Sequence, residues 1–209
     1  MRRARTKKAK DERRKVLLNA ALDLFFEKGF AAARMEDIAA RAGVTKGTVY
    51  LYFSSKEELF KDLISVHAIP NVQRLESLVT GATSSEEAIR GFVKFVVQIL
   101  SETQLPKFIK VLIGDSGAFP GVIETYRETV LKRIFSAVAA MLRKGNELGE
   151  FNVTDLAMTT RLFVAPVIFA TIWRMVFESE DEPALDLEGL FSLHADLMIR
   201  ALRAPVEEV

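Results

Sequence analysis

Residues 39–60 read AARAGVTKGTVYLYFSSKEELF, and this spacing predicts two short helices joined by a tight turn. Gly43 stands where such a turn needs a positive φ angle. The helix after the turn, about residues 46–52, is too short to be stable alone, so it must pack against a neighbour. Val49 and Phe53, four residues apart, suit its inner face. The pattern is typical of a helix-turn-helix, a motif that reads DNA.

Further helices frame this motif. Residues 11–28 place apolar side chains on one face at helical spacing, and Gly29 then ends the helix. A second helix is predicted over residues 35–41. Downstream, Ser55 and Glu58 form a capping box, which predicts that a fourth helix begins just after Ser55.

The outward face of the third predicted helix carries the candidate DNA contacts. Small hydroxyls, a lysine and a phenol fit a helix whose first residues enter a major groove while longer side chains reach phosphates. Gly47 lets the backbone approach base edges because it has no side chain. Lys56, at the start of the fourth helix, suits a phosphate. The other side chains left facing outward are Thr45, Lys46, Thr48 and Tyr52.

These motifs, at these spacings, resemble the tetracycline-repressor (TetR) family of one-component bacterial regulators. The resemblance covers about residues 11–63 and rests on GF (29–30), MEDIA (35–39), AGV (42–44), TKGTVYLYF (45–53) and SKEELF (55–60). It implies that bases or the DNA backbone are approached by Thr45, Lys46, Gly47 and Thr48. It also implies that phosphates are held by Tyr50, Tyr52 and Lys56, and that Leu51 touches a thymine methyl.

One position departs from the family pattern. Similar sequences carry a Thr or Ser pair just before the second helix, whereas this chain has Ala33 and Arg34. The second helix therefore lacks an N-cap side chain, a loss of about 1 kcal/mol in other proteins. Arg34 either replaces the lost phosphate contact or is a solvated side chain, and the sequence favours neither.

Charge is divided unequally along the chain. Residues 1–61 hold 15 Lys and Arg against 8 Asp and Glu, whereas residues 62–209 hold 14 against 20. A basic end attracts the phosphate backbone, and an acidic remainder is repelled by it. Residues 1–10 are predicted to be a basic arm that is disordered when free. This arm either enters an adjacent minor groove or adds non-specific attraction, and we favour the second.

Length and composition limit the classes of protein and the kinds of site that this chain can represent. With 209 residues and 49% hydrophobic content, the chain has room for a DNA-binding domain at 11–55 and a larger helical domain at 56–209. It has no cysteine, which excludes a disulfide scaffold and a Cys-ligated metal, and no cofactor is expected. The basic N-terminus lacks the apolar core of a signal peptide. The longest apolar stretch, 162–173, is too short to span a bilayer, so we expect a cytoplasmic protein without membrane contact.

Beyond residue 63 the periodicity predicts helices only, so the fold class is all-α with about nine helices. The fourth helix is expected to continue toward residue 80, with a kink near His67 before Pro70. The remaining helices are predicted to begin at 84 or 85 and to cover about 106–113, 120–144, 154–178 and 187–203.

The last two predicted helices are too apolar to face water. In the resembling family, the corresponding helices form a four-helix bundle across a two-fold axis, which implies a homodimer. The candidate interface residues are Ile168, Phe169, Ile172, Phe191, Leu197, Met198 and Ala201. The alternative for each is a place in the core of its own chain.

The resemblance also implies an effector cavity in the second domain. Rings and apolar side chains that would line it are Phe92, Phe95, Val96, Phe108, Phe119, Tyr126, Phe163 and Trp173. Aromatic residues at helical spacing are more often ordinary core, so that reading stays beside the first. The lack of charge on these faces favours an apolar or amphipathic small molecule. Possible polar anchors are His67, Arg161 and Arg174.

Catalysis is not expected. The two histidines, His67 and His194, lie far apart in sequence, which leaves a metal site or a Ser-His-Asp triad little to work with. The GDSG turn at 114–117 lacks the GxSxG spacing of a hydrolase. The sequence, with its family resemblance, predicts instead a homodimeric repressor that binds a palindromic DNA operator, and the resemblance implies efflux or stress response as its setting. The alternatives are control of lipid or aromatic catabolism and a ligand-independent DNA-binding protein.

Overall fold

A computed structural model describes residues 2–179, 181 and 183–204, with the side chains of 2–7 and 118 excepted. The described chain is all-α, as predicted, and its only extended pairing is an isolated antiparallel bridge between Phe151 and Arg203. The helices are α1 (Arg2–Lys28), α2 (Met35–Arg41), α3 (Lys46–Tyr50), α4 (Lys56–Leu63), α5 (Ile69–Gly81), α6 (Ser85–Glu102), α7 (Leu105–Gly114), α8 (Pro120–Tyr126), α9 (Lys132–Glu147), α10 (Leu156–Ile172) and α11 (Leu187–Leu202).

Three π-helical turns, in which hydrogen bonds join residues five apart instead of four, interrupt the long predicted helices. They are Ile64–Ala68 between α4 and α5, Arg127–Leu131 between α8 and α9, and Trp173–Phe177 after α10. The first lies just before Pro70, where the sequence predicts a kink, because proline has no N–H to donate to the preceding turn. When each turn is counted with the helices it joins, the described residues form the nine predicted helices.

The start of α1 differs from the prediction. The sequence predicts a disordered arm over residues 1–10, but the structure continues α1 back to Arg2, and Met1 lies outside the described residues. Lys, Arg and Ala are good helix formers, and neither Gly nor Pro interrupts this segment. The helix thus has no local reason to stop at residue 11.

The chain divides into two compact units, Met1–Ala68 with Lys107–Arg127, and Ile69–Pro106 with Glu128–Val209. The first unit contains α1 to α4, most of α7, and α8. Its core is a cluster of phenylalanine rings whose neighbouring centroids lie between 4.3 and 5.8 Å apart. The rings are those of Phe25, Phe30, Phe60, Phe108 and Phe119. This cluster joins α1, its following turn, α4, α7 and the start of α8.

The second unit packs α5, α6, α9, α10 and α11 around one apolar core. Helix α6 contributes the side chains of Ile89, Phe92 and Val96 to this core, and the Phe92 ring lies 5.0 Å from that of Phe163 in α10. An ion pair outside this core also joins two of these helices. Arg133 of α9 bonds both carboxylate oxygens of Glu76 in α5, at 2.8 and 2.6 Å.

Among the described residues, one helix, Leu156–Phe177, is long and apolar enough to cross a membrane if only length and composition are considered. It extends at both ends beyond the stretch 162–173 that the sequence analysis considers too short. Only 28% of its most apolar window is buried within the chain. The exposed apolar surface of this helix therefore needs a cover.

Gly145 provides a test of the second unit's packing. A Cβ added there would lie 2.3 Å from Cδ2 of the buried Phe151, whereas one added at Gly81, the last residue of α5, would meet nothing within 4 Å. We expect Gly145→Ala to lower the free energy of unfolding by about 1–3 kcal/mol. We expect Gly81→Ala to leave it unchanged or raise it by up to about 1 kcal/mol. Urea unfolding measures both, and equal effects would contradict the packing described here.

Candidate nucleic-acid interface

The turn between α2 and α3 has the geometry that the sequence predicts. Gly43 has a φ angle of +66°, and the N–H of Val44 donates to the carbonyl of Ala39 at 3.0 Å. Val49 and Phe53 are 0% and 1% exposed, which confirms the predicted inner face of the short helix. Helix α3 ends at Tyr50, two residues earlier than predicted.

The start of α3 is capped by its own hydroxyls. The Thr45 hydroxyl accepts a hydrogen bond from the N–H of Thr48 at 3.2 Å, and the two threonine hydroxyls lie 2.9 Å apart. Thr45 is exposed and Thr48 is half-buried. Both side chains therefore also hold the helix in shape, whether or not they contact DNA.

The remaining outward residues of this region form an open surface. Lys46, Gly47 and Tyr50 are exposed, and Leu51 is 80% exposed, while Tyr52 is half-buried. A Cβ at Gly47 would meet only the Thr45 hydroxyl, at 3.9 Å. Nothing inside this unit requires a glycine there, which fits a position that leaves room for an outside partner.

Lys46 is held by an acidic side chain that the sequence analysis does not single out. Its ammonium forms an ion pair with Glu36 in the first turn of α2, and it lies 5.8 Å from the centre of the Tyr50 ring. The hydrogen bond to Lys46 lowers the pKa of Glu36, and the same bond raises the pKa of Lys46. Both groups are charged at neutral pH. No periodic signal links the two positions, because their proximity depends on the turn between the helices.

The cap of α4 follows the prediction in part. The hydroxyl of Ser55 accepts from the N–H of Glu58 at 3.2 Å. The Glu58 carboxylate, however, bonds the N–H and the hydroxyl of Ser54 instead of the Ser55 backbone. The hydrogen bond from the Ser54 hydroxyl lowers the pKa of Glu58. The reciprocal half of the box thus closes one residue earlier than expected.

Lys56, predicted to hold a phosphate, is also bound within its own chain. Its ammonium donates to the carbonyl oxygens of Phe30 at 2.7 Å and Ala31 at 3.2 Å, and it lies 4.7 Å from the centre of the Phe30 ring. On the other side of this turn, the carboxylate of Asp115 accepts from the N–H of Phe30 at 2.8 Å. An ammonium has three donors, so Lys56 keeps one for a phosphate.

Arg34 precedes α2 without capping it through its side chain, as predicted. A guanidinium has no acceptor atom, so it cannot accept hydrogen bonds from the free N–H groups at the start of a helix. Instead the Asp37 carboxylate accepts from the N–H of Arg34 at 3.4 Å. Arg34 is exposed, which is compatible with both roles that the sequence leaves open.

Comparison with known proteins identifies this arrangement. The sequence model of the tetR family of bacterial regulatory proteins matches residues 17–63, and that of the C-terminal domain of AefR-like transcriptional repressors matches residues 87–187. YdeS, an HTH-type transcriptional regulator of Bacillus subtilis strain 168, is 30% identical over 74% of this chain and 76% of its own length. The chain belongs to the TetR family.

Two other matches describe the range of TetR proteins that this chain is similar to. FasR, an HTH-type transcriptional activator of Mycolicibacterium smegmatis, is 38% identical over 41% of this chain and 39% of its own. The structure of SmeT with triclosan has a TM-score of 0.77 at 24% identity and covers 95% of each chain. SmeT is the repressor of the Stenotrophomonas maltophilia multidrug efflux pump SmeDEF. The likeness to SmeT shows that the two proteins share a fold. Together with the family matches, it follows that the protein is a DNA-binding transcriptional regulator of TetR type.

The rings predicted to line an effector cavity of this TetR protein lie in different groups. Phe108, Phe119 and Tyr126 belong to the first unit, where the first two join its ring cluster and Tyr126 packs 5.9 Å from Phe108. Burial raises the pKa of Tyr126. In the second unit, the buried core contains Phe92, Phe95, Val96 and Phe163. Within each unit these rings pack as ordinary core, and their contact with an effector stays a prediction.

Trp173 belongs to neither core. It is 37% exposed and packs between Phe169 and Phe177, with ring centres 5.6 and 5.7 Å away. Of the possible polar anchors, Arg174 donates to the carbonyl of Leu100 at 2.8 Å, and Arg161 lies on a shallow groove between α9 and α10. Among the described residues, no three His, Asp or Glu side chains come together as a candidate metal site.

The candidate dimer residues divide by exposure. Ile168, Phe169 and Leu197 are between 50% and 55% exposed, and the smaller Ala201 is also exposed. Ile172 and Met198 are half-buried. Phe191 differs from the prediction, because its ring is 0% exposed and lies in the core of its own unit. Helical spacing alone does not separate these two environments, because α11 is apolar on both faces.

The two bonds to the turn after α1 lead to a prediction about Lys56. Lys56→Ala removes the predicted phosphate contact and an anchor of this turn together. We expect it to weaken binding to all DNA sequences, to lower the salt slope by about one unit and to reduce stability by about 1 kcal/mol. Asp115→Ala is the control, because it loosens the same turn from the other side and removes no cation.

Salt-dependent binding and urea unfolding separate the two contributions. Asp115→Ala should lower stability while the salt slope stays that of the wild type. A Lys56→Ala protein with an unchanged slope would show that this lysine serves the turn alone.

Proposed function

We propose that this TetR-family protein is a homodimeric repressor that binds a palindromic operator and leaves it when a small apolar or amphipathic effector binds. The observation that carries the proposal is the surface of α3. Its inner side is buried through Val49, while Lys46, Gly47 and Tyr50 are exposed on the outward side. A surface of this kind fits the major groove, and the net positive charge of residues 1–61 favours DNA.

Sequencing the genomic DNA that the purified protein retains tests this function. We expect an inverted repeat whose half-sites lie about one helical turn apart or slightly more, because two identical reading helices impose two-fold symmetry. Reporter expression from that site should rise when the gene is deleted. Lower expression would identify an activator, as FasR is, and fragments without a shared motif would favour a ligand-independent architectural protein.

The exposed faces of α10 and α11 support the homodimer. Along α10 and the π turn that follows, Met158, Leu162, Phe169 and Trp173 recur at helical spacing and are exposed. On α11, Leu193 and Leu197 form a second exposed row. The two helices lie side by side, since the ring of His194 bonds the Phe163 carbonyl at 3.0 Å. A second copy of the same surface would cover both rows, and this explains the membrane-like composition of α10 without a membrane.

A charge placed in this surface tests the dimer. We expect Phe169→Asp and Leu197→Asp to give monomers with little operator affinity, since each buries an unpaired carboxylate at the interface. Val66→Asp is the control, because Val66 is also an exposed apolar residue but lies outside α10 and α11. Sedimentation equilibrium at micromolar concentration measures the mass. A wild-type monomer, or dimers of both α10 and α11 variants, would contradict the proposal.

The apolar character of the second unit supports an apolar or amphipathic effector, and SmeT, of the same fold, binds triclosan. We expect triclosan and cationic aromatic compounds to release the recovered operator, with the operator weakening their binding by the same factor. Release by a sugar phosphate but by none of these compounds would contradict an apolar pocket. We propose efflux or stress response as the regulated process, and efflux or stress genes beside the operator would support it. Genes of lipid or aromatic catabolism at that place would support the alternative. We also propose that the protein is not an enzyme and that it is located in the cytoplasm.

A further inference from the structure

Glu36 lies on the outward side of the helix-turn-helix, where a carboxylate is unexpected in a protein that meets phosphates. It forms an ion pair with Lys46, and the two side chains are 52% and 55% exposed. Its neighbour Asp37 is differently engaged, since that carboxylate accepts from the N–H of Arg34 and lies 3.9 Å from the ammonium of Lys28. Glu36 is therefore the acidic partner of the lysine that begins α3.

We propose that Glu36 is a specificity-determining residue, which withholds the ammonium of Lys46 from phosphates and presents it with its own carboxylate to a G·C base pair. The inference rests on the proposed placement of α3 in the major groove.

The effect on phosphates follows from the charges. A free lysine that neutralises one phosphate adds about 0.9 to the slope of log affinity against log salt. In the pair, the attraction of a phosphate for the ammonium is offset by its repulsion of the adjacent carboxylate. The pair thus contributes little to sequence-independent binding. Because both groups are more than half exposed, no burial of the pair is needed to hold them together.

The effect on bases follows from the hydrogen-bonding groups. The ammonium has three donors, so two remain after the bond to Glu36. In the major groove, a guanine presents the acceptors O6 and N7, and its paired cytosine presents the donor N4–H₂ beside them. A lysine and a glutamate side by side match this pattern with a donor and an acceptor. An A·T pair has its donor, adenine N6–H₂, where guanine has O6, and the thymine O4 acceptor where cytosine has N4–H₂, so the order of donor and acceptor no longer matches the pair of side chains.

The Tyr50 ring is a second neighbour of the ammonium. Its centre is 5.8 Å from the nitrogen of Lys46, a distance at which the face of the ring attracts a cation. Glu36 and Tyr50 together restrict where the flexible lysine side chain points. A restricted cation loses less conformational freedom on binding one base than a free one does.

Glu36→Gln tests the inference, with Glu57→Gln as the matched control. Both changes remove one negative charge from an exposed residue in the first turn of a helix of the same unit, and Glu57 has no described ion pair. Binding is measured against salt on the recovered operator and on a random-sequence duplex of equal length. We expect Glu36→Gln to bind random DNA more tightly than Glu57→Gln does. Its slope should be steeper by about one unit, which corresponds to a roughly three- to fourfold greater loss of affinity over a fourfold rise in salt.

Specificity should change in the opposite direction. Selection of operators by Glu36→Gln should lose preference at one G·C position in each half-site, and Glu57→Gln should keep it. Lys46→Ala should weaken operator binding and lose the same preference, and its slope should fall because the Glu36 carboxylate is then unpaired. The double variant Glu36→Gln/Lys46→Ala removes the whole pair, so its slope should stay close to that of the wild type. Equal behaviour of the two glutamine variants, or a slope lowered by about one unit in the double variant Glu36→Gln/Lys46→Ala, overturns the role of Glu36.

The same variants show which proposal has failed. If Lys46→Ala weakens the operator complex while Glu36→Gln behaves as its control, α3 reads DNA and only the inference about Glu36 is wrong. If neither Lys46→Ala nor Tyr50→Ala affects operator binding, the placement of α3 is wrong and the inference falls with it.

Discussion

The burial of Val49 and Phe53 is the constraint on which the candidate DNA-binding surface of α3 depends. A helix of five residues has too few internal hydrogen bonds to persist alone, so its direction is set by the side chains that it buries. Both residues are almost completely buried. The outward direction of Lys46, Gly47 and Tyr50 follows from this burial, because side chains on opposite faces of one short helix cannot move independently.

The phenylalanine cluster extends this constraint into the rest of the first unit. Phe60, in α4, contacts four other rings, which come from α1, the turn after it, α7 and the start of α8. The turn after α1 is fixed further by Lys56 and Asp115, which bond opposite polar groups of Phe30. The structural bond of Lys56 stands beside the phosphate contact predicted for it, and the two roles are separated by measuring both stability and salt dependence.

Local sequence signals predict most of the fold and the surface of α3. The turn glycines, the serine caps and the apolar spacing depend on residues a few positions apart, which is why α2, the start of α4 and the inner face of α3 match their predictions. Contacts between distant positions leave no such signal. Glu36 meets Lys46 through a turn, and the buried rings expected to form one cavity belong to two separate cores, with Trp173 in neither. Phe191 shows the same limit, because an apolar residue on an apolar helix reads alike at an interface and in a core.

The bond between Asp115 and Phe30 has a consequence for genetics. It joins positions 85 residues apart, across the boundary that the chain sequence suggests between a reading head and a regulatory domain. A screen for alleles that have lost DNA binding would thus recover changes at Asp115 along with those in α3. A map drawn from such alleles would place part of the operator-recognition function in the second half of the gene, although the side chain concerned only shapes the turn beside α2.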